Sequence, residues 1–209
     1  MRRTLVLLMI LLMPLRAVAS DRPGDFDYYV MALSWSPAFC EVQGDPEQCA
    51  PGKRFGWILH GLWPQHEQGY PSDCRSPMRN PSRADTAAMA DIMATAGLAW
   101  HEWQAHGRCS GLSSEAYFDL SRQAYDSVTR PQVLRQLDED VRLPARVIEE
   151  AFLEANPHLS ADGVTVTCPD NRIREVRICL TKDLQPRDCA PDVRRDCRAS
   201  SALFDAIGG

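Results

Sequence analysis

Long apolar runs, internal repeats and paired-cysteine metal motifs are missing from almost all of this 209-residue chain. Beyond residue 20 no segment has the length and apolarity to cross a bilayer, which takes ~20 residues, so that part of the chain has no membrane anchor of this kind. No repeat, linker or low-complexity segment divides it, which leaves one domain of ordinary size. No C-x-x-C occurs and the cysteine spacings are irregular, which argues against a zinc site. Positive charge is also in deficit. The chain carries 23 basic against 28 acidic side chains, and only Lys53 and Lys182 are lysine. A protein that grips nucleic acid by bulk charge needs a basic surface. Any nucleic-acid chemistry here must therefore come from a local site.

What is present starts with MRRTLVLLMILLMPLRAVAS: two arginines, an apolar run, then Ala17-Val18-Ala19 before Ser20. That is the order of a secretory signal peptide, so residues 1–19 are expected to be removed and residues 20–209 to form the domain. Removal takes Arg2, Arg3 and Arg16 and no acid, leaving a net charge of −8. All eight cysteines (Cys40, Cys49, Cys74, Cys109, Cys168, Cys179, Cys189 and Cys197) lie in the mature part. An even count behind a signal peptide implies four disulfides in a secreted or periplasmic protein, with connectivity left open.

FDYYVMALSW (26–35) reads as a strand ended by Pro37 and followed by a small loop, and FGWILHGLW (55–63) as a second, buried strand. Residues 69–82 are rich in turn formers. Helices are expected over 84–96 behind a Ser82 cap, over the WHEWQAHGRC stretch (100–109), and over 113–128, 131–139 and 144–155. GVTVTC (163–168) and IREVRICL (173–180) read as paired strands. Strands, then helices, then strands favour an α+β fold.

WHEWQAHGRC nearly spells the zinc-helix motif H-E-x-x-H, but His101 and His106 are five apart. On a helix that rotates them by roughly 140° and separates them by ~7.5 Å along the axis. One zinc with ~2 Å bonds cannot easily take both. The same geometry puts His101, Glu102 and His106 on one broad face, with Glu102 and His106 an i, i+4 pair. His60, inside the apolar strand and beside Gly61, is the natural third partner. His66 and His158 have no motif around them and read as surface or structural residues. Imidazoles without a nucleophilic serine or cysteine motif suit general acid–base catalysis. RNA brings its own nucleophile, the 2′-hydroxyl, so a base, an acid and stabilisation of the phosphorane would suffice, without metal or other cofactor.

HGLWP (60–64) and HEWQAHGRC (101–109) resemble the two active-site segments of the ribonuclease T2 family, and SWSPAFC (34–40), YPSDC (70–74) and the C-terminal cysteines are similar to it as well. The resemblance covers residues 26–198. It implies an α+β fold with an antiparallel sheet packed with several helices and four disulfides: Cys40–Cys49, Cys74–Cys109, Cys168–Cys197 and Cys179–Cys189. It implies an endoribonuclease of single-stranded RNA, acting as a monomer, with RNA as its partner. His106 would be the base, His60 the acid, His101 a phosphate ligand and Glu102 the group that positions and polarises the site. Trp63 would lie against a base, with Gln65 and Tyr70 beside it. Two departures stand out. Ala105 occupies the position of the family's lysine and Arg108 that of its threonine. Arg108, Lys53 and Arg54 are the candidate replacement cations; if none serves, the chain is expected to be a weak enzyme or an RNA-binding protein. Gln65 stands where many fungal members carry aspartate, which leaves base preference open.

Overall fold

The computed structural model describes residues 21–208; the expected signal peptide, residues 1–19, lies outside the described residues. In chain order the elements are β1 (Tyr28–Trp35), α1 (Ser36–Val42), β2 (Trp57–Gln65), α2 (Arg83–Ala88), α3 (Ala90–Met93), α4 (Ala96–Ala105), α5 (Ser114–Asp126), β3 (Val141–Leu143), α6 (Ala145–Ala155), β4 (Val164–Thr167), β5 (Glu175–Leu180) and β6 (Ala202–Phe204). Four strands form an antiparallel sheet in the order β2-β1-β5-β4, and β3 pairs with β6 in a separate two-stranded sheet.

Strand alternation sorts the four-stranded sheet into two faces. Tyr29, Met31, Leu33 and Trp35 of β1 point into the main core with Val176 and Ile178 of β5 and Val164 and Val166 of β4. Helices α4, α5 and α6 cover that face with Ala99 and Trp103, with Tyr117 and Phe118, and with Ile148 and Phe152. The opposite face carries Ser34, Thr167, Glu175 and Arg177 around a cavity, next to a small cluster of Tyr28, Val30, Cys179 and Cys189. The functional candidates gather on this second face, where a polar side chain costs least.

Three local readings of the sequence are corrected. Pro37 begins α1, because proline at the first helical turn forfeits no hydrogen bond. The single helix expected over 84–96 is divided. Ser82 and Asp85 form the expected capping box on α2, but Thr95 accepts the Leu98 N–H and caps a new helix, with Ala94 at φ 67° making the break. Over 131–139 only a short 3₁₀ turn, Gln132–Arg135, forms, since Leu134 is its one buried residue. Cys40–Cys49, Cys74–Cys109, Cys168–Cys197 and Cys179–Cys189 are disulfide-bonded, and no described cysteine is free. Cys74–Cys109 ties the end of the α4 segment to the loop after β2.

Candidate active site

A β-bulge sets the aim of His60. In the β1–β2 ladder Ala32 pairs with Gly61 and Leu33 with Leu59, so His60 is the extra residue. Trp57 and Leu59 face the core before the bulge and Leu62 faces it after. The bulge thus shifts the alternation by one, and His60 and Trp63 emerge on the same face although they are three apart. Without it, one of the two would point into the core.

Helix α4 supplies the other half. Glu102 is buried between the two imidazoles: Oε1 lies 3.6 Å from His60 Nε2 and Oε2 lies 4.0 Å from His106 Nε2. Trp63 Nε1 donates to Glu102 Oε2 at 2.7 Å. The Trp63 ring stands between the histidines, with centroids 5.3 Å from His60 and 5.2 Å from His106. The helix stops at Ala105, and His106 takes the capping position with φ −128°. Gly107 makes the exit, where a Cβ would come within 2.6 Å of the Trp103 ring. Because the helix has ended, Arg108 is not where a continued wheel would put it. Its Nη1 donates back to Gln104 Oε1 at 3.1 Å, and it lines a cavity with Ala105, His106 and Tyr70.

Gly61 is what allows the approach of strand and helix. A Cβ there would meet Glu102 Oε2 at 2.0 Å and Trp63 Nε1 at 2.3 Å. Gly61→Ala is therefore expected to push Glu102 off Trp63, lowering stability by about 1–3 kcal/mol and activity with it. Denaturant unfolding beside an activity assay checks this, and unchanged values in both would contradict the close contact.

Two residues that the sequence reading did not single out complete the site. Glu175 and Arg177 alternate on β5 and face His60. Glu175 Oε1 sits 2.6 Å from His60 Nδ1, while Arg177 donates to Glu175 Oε2 from Nε at 3.0 Å and Nη2 at 2.8 Å. An ionised carboxylate can only accept, so Nδ1 of His60 is the N–H and Nε2 is left to face the cavity. The signal for this pair was a glutamate and an arginine on one face of an otherwise apolar strand, which the reading treated as ordinary strand alternation.

Electrostatics separates the titratable groups. For His60, burial disfavours the cation, but the Glu175 hydrogen bond and the charges of Glu102 and Glu175 outweigh it and raise its pKa. For His106, burial and then the repulsion of His60 and His101 push the pKa down to about 4. Burial lifts Glu102 to about 7 against the pull of His60 and the Trp63 hydrogen bond. Glu175, equally buried, is held below the usual carboxylate range by His60 and Arg177. One imidazole is thus set to hold a proton and the other to accept one.

The other predicted residues fall at the rim. His101 is exposed and shares a cavity of 580 Å³ with His60, Glu175 and Arg177. Trp63, Gln65, Tyr70, His106 and Arg177 line a second cavity of 430 Å³. Lys53 and Arg54 are not part of this group. Arg54 donates to the Gly208 carbonyl and Lys53 lies over the Phe55 ring, and neither lines a cavity with the histidines. His66 lies 3.8 Å from Asp27, and His158 is exposed. Among the described residues no group of three or more His, Cys, Asp or Glu side chains is arranged to hold a metal ion.

The family model described as Ribonuclease T2 family matches residues 26–189, which takes in every residue of this constellation. The chain belongs to the ribonuclease T2 family. It is 35% identical over 202 residues to a protein of Aeromonas hydrophila named ribonuclease, covering 88% of this chain and 86% of that one. It is 24% identical to ribonuclease I of Escherichia coli over 80% of each chain. It is also 30% identical over 129 residues to a ribonuclease-like storage protein of Panax ginseng, about half of each chain. Among solved structures, a ribonuclease-related protein from Calystegia sepium superposes with a TM-score of 0.68 at 19% identity, covering 87% of this chain and 97% of that one. RNase NT in complex with 5′-AMP gives 0.62 at 20% identity, covering 87% and 98%. At these identities the two structures establish the T2 fold, an α+β architecture with a central antiparallel sheet.

Proposed function

We propose that the chain is a metal-independent endoribonuclease of the T2 type. The observation that carries this reading is the placement of two imidazoles on either side of one buried carboxylate, His60 at 3.6 Å and His106 at 4.0 Å from Glu102, in surroundings that raise the pKa of His60 and lower that of His106. His106 takes the proton of the 2′-hydroxyl as the 2′-oxygen attacks phosphorus. His60 gives its Nε2 proton to the leaving 5′-oxygen as the P–O5′ bond breaks. The products are a 2′,3′-cyclic phosphate and a free 5′-hydroxyl, and hydrolysis of the cyclic ester to a 3′-phosphate runs the two roles in reverse. His101 binds the phosphate, and Glu102 holds Trp63 and the space between the imidazoles. Trp63, Gln65 and Tyr70 bound the space for a base, with Arg108 at its far side.

In this reading residues 20–209 form one domain that acts as a monomer, secreted or periplasmic after loss of a signal peptide. Among the described residues no helix is long and apolar enough to cross a membrane. Purified mature protein incubated with RNA, with and without EDTA, is expected to leave 2′,3′-cyclic termini in both. Cleavage abolished by EDTA would overturn the mechanism. Ala105 favours a second reading, an RNA-binding protein on the same scaffold, since the side chain brings no cation next to His106. RNA retained without cleavage would select it.

Glu175 gives a separate test. Glu175→Gln removes the hydrogen-bonded charge that raises His60, so its pKa falls and the imidazole loses its proton at lower pH. The alkaline limb of activity is expected to move acidward, costing about tenfold above neutrality and little near pH 5. An unmoved limb would show that Glu175 does not set the acid.

A further inference from the structure

A phosphodiester entering this site meets two buried carboxylates, Glu102 and Glu175. Glu175 is held ionised 2.6 Å from His60, Glu102 stands between the imidazoles, and burial leaves His106 neutral, so the histidines alone bring little positive charge to the phosphate. An anion of this kind calls for a permanent cation, and we propose that Arg177 supplies it, as a catalytic residue that contacts a non-bridging phosphate oxygen. This rests on the ribonuclease reading for its rate effects, but not for its anion contact.

The placement is specific. Arg177 lines both the cavity of His60 and His101 and the cavity of Trp63 and His106, so it marks the junction between the acid and the base. Its Nε and Nη2 are both used on Glu175 Oε2, and its guanidinium carbon lies 5.3 Å from the Trp63 ring centroid. These contacts hold the guanidinium plane in place and leave Nη1 with no hydrogen-bond partner among the described residues. The side chain is 33% exposed, enough for an oxygen to reach it. A fixed donor of permanent charge costs no reorganisation when the phosphorane forms. Two other arginines lie beside His106: Arg108 has its Nη1 on Gln104 and lines the far cavity, and Arg195 lines the cavity of Trp63 and His106 but not that of His60 and His101. Ala105 lines that same far cavity beside His106, so a lysine there would bring an ammonium to the reacting group from the opposite side.

Arg177→Ala is expected to lower kcat on RNA on the order of 10²-fold and to weaken binding of a single-stranded 2′-deoxy oligonucleotide by about tenfold. Adding Ala105→Lys to that variant should recover most of both losses, while Ala105→Lys alone should change the wild-type rate little. Arg177→Lys, with its charge kept, should fall between, and serves if the alanine variant unfolds. Thermal melts confirm the fold. Unchanged turnover and binding in Arg177→Ala would overturn the proposal. So would a loss that Ala105→Lys does not repair, because lysine at 105 replaces charge but cannot hold Glu175; Arg177 would then act only by positioning His60. Should the wild type bind the deoxy oligonucleotide through Arg177 yet cleave no RNA, the ribonuclease reading fails and the anion contact stands.

Discussion

His106→Ala is expected to lower kcat on RNA by ~10²–10⁴ while leaving KM within a few-fold. The asymmetry follows from where His106 sits. It caps the end of α4, and its ring packs on Trp63 without a hydrogen bond to it. Trp63 is held by Glu102, and Glu102 by its place against Gly61, so neither depends on the imidazole. The substrate surfaces of His101, Tyr70 and Arg177 should survive the substitution. What is lost is a neutral imidazole with a pKa pushed down to about 4, unprotonated across the physiological range and free to accept the 2′-hydroxyl proton. A loss confined to kcat marks an interaction made in the transition state. A variant with unchanged kcat would refute the assigned base, and one with raised KM alone would make His106 a binding residue.

His60→Ala should cost a similar factor on RNA, but the loss should depend on the leaving group. His60 is the proton donor to the 5′-oxygen, an alkoxide that leaves poorly without a proton. Replacing the 5′-nucleoside by p-nitrophenolate, which leaves unaided, removes the need for an acid. The variant is therefore expected to retain most of its activity on a nucleoside 3′-(p-nitrophenyl phosphate) and little on RNA. His106→Ala should lose activity on both substrates, because attack by the 2′-hydroxyl is common to them. Equal losses for His60→Ala on both would exclude it as the acid and leave it a role in binding or positioning.

Much of this was legible before the structure. His60, Glu102 and His106 stood in two short motifs, and the strands carrying FDYYVMALSW and WILHGLW were long and apolar enough to be read from pattern alone. The Glu102–His106 pair was also readable from the 3.6-residue period, whereas His101 lines a different cavity from His106. The bulge at His60 was not, because an extra residue in a ladder shows only against its partner strand. Glu175 and Arg177 were missed for a similar reason. Their alternation on β5 is what any half-exposed strand shows, and their meaning comes from the cross-sheet neighbour His60, 115 residues away from Glu175 in sequence. The place of Arg108 was not readable, because it depends on where the helix ends, and Thr95 and His106 bound a helix of only ten residues. β3 and β6, three residues each, were too short to show a period.

The pH dependence of kcat/KM for the wild-type protein on RNA tests the acid–base pairing most directly. The base must be unprotonated and the acid protonated, so activity needs a pH above the His106 value and below the His60 value. The expected profile is a bell with its acid limb near 4 and its alkaline limb above the 6.5 of an ordinary histidine. An activity that rises through neutrality without an alkaline decline would contradict it.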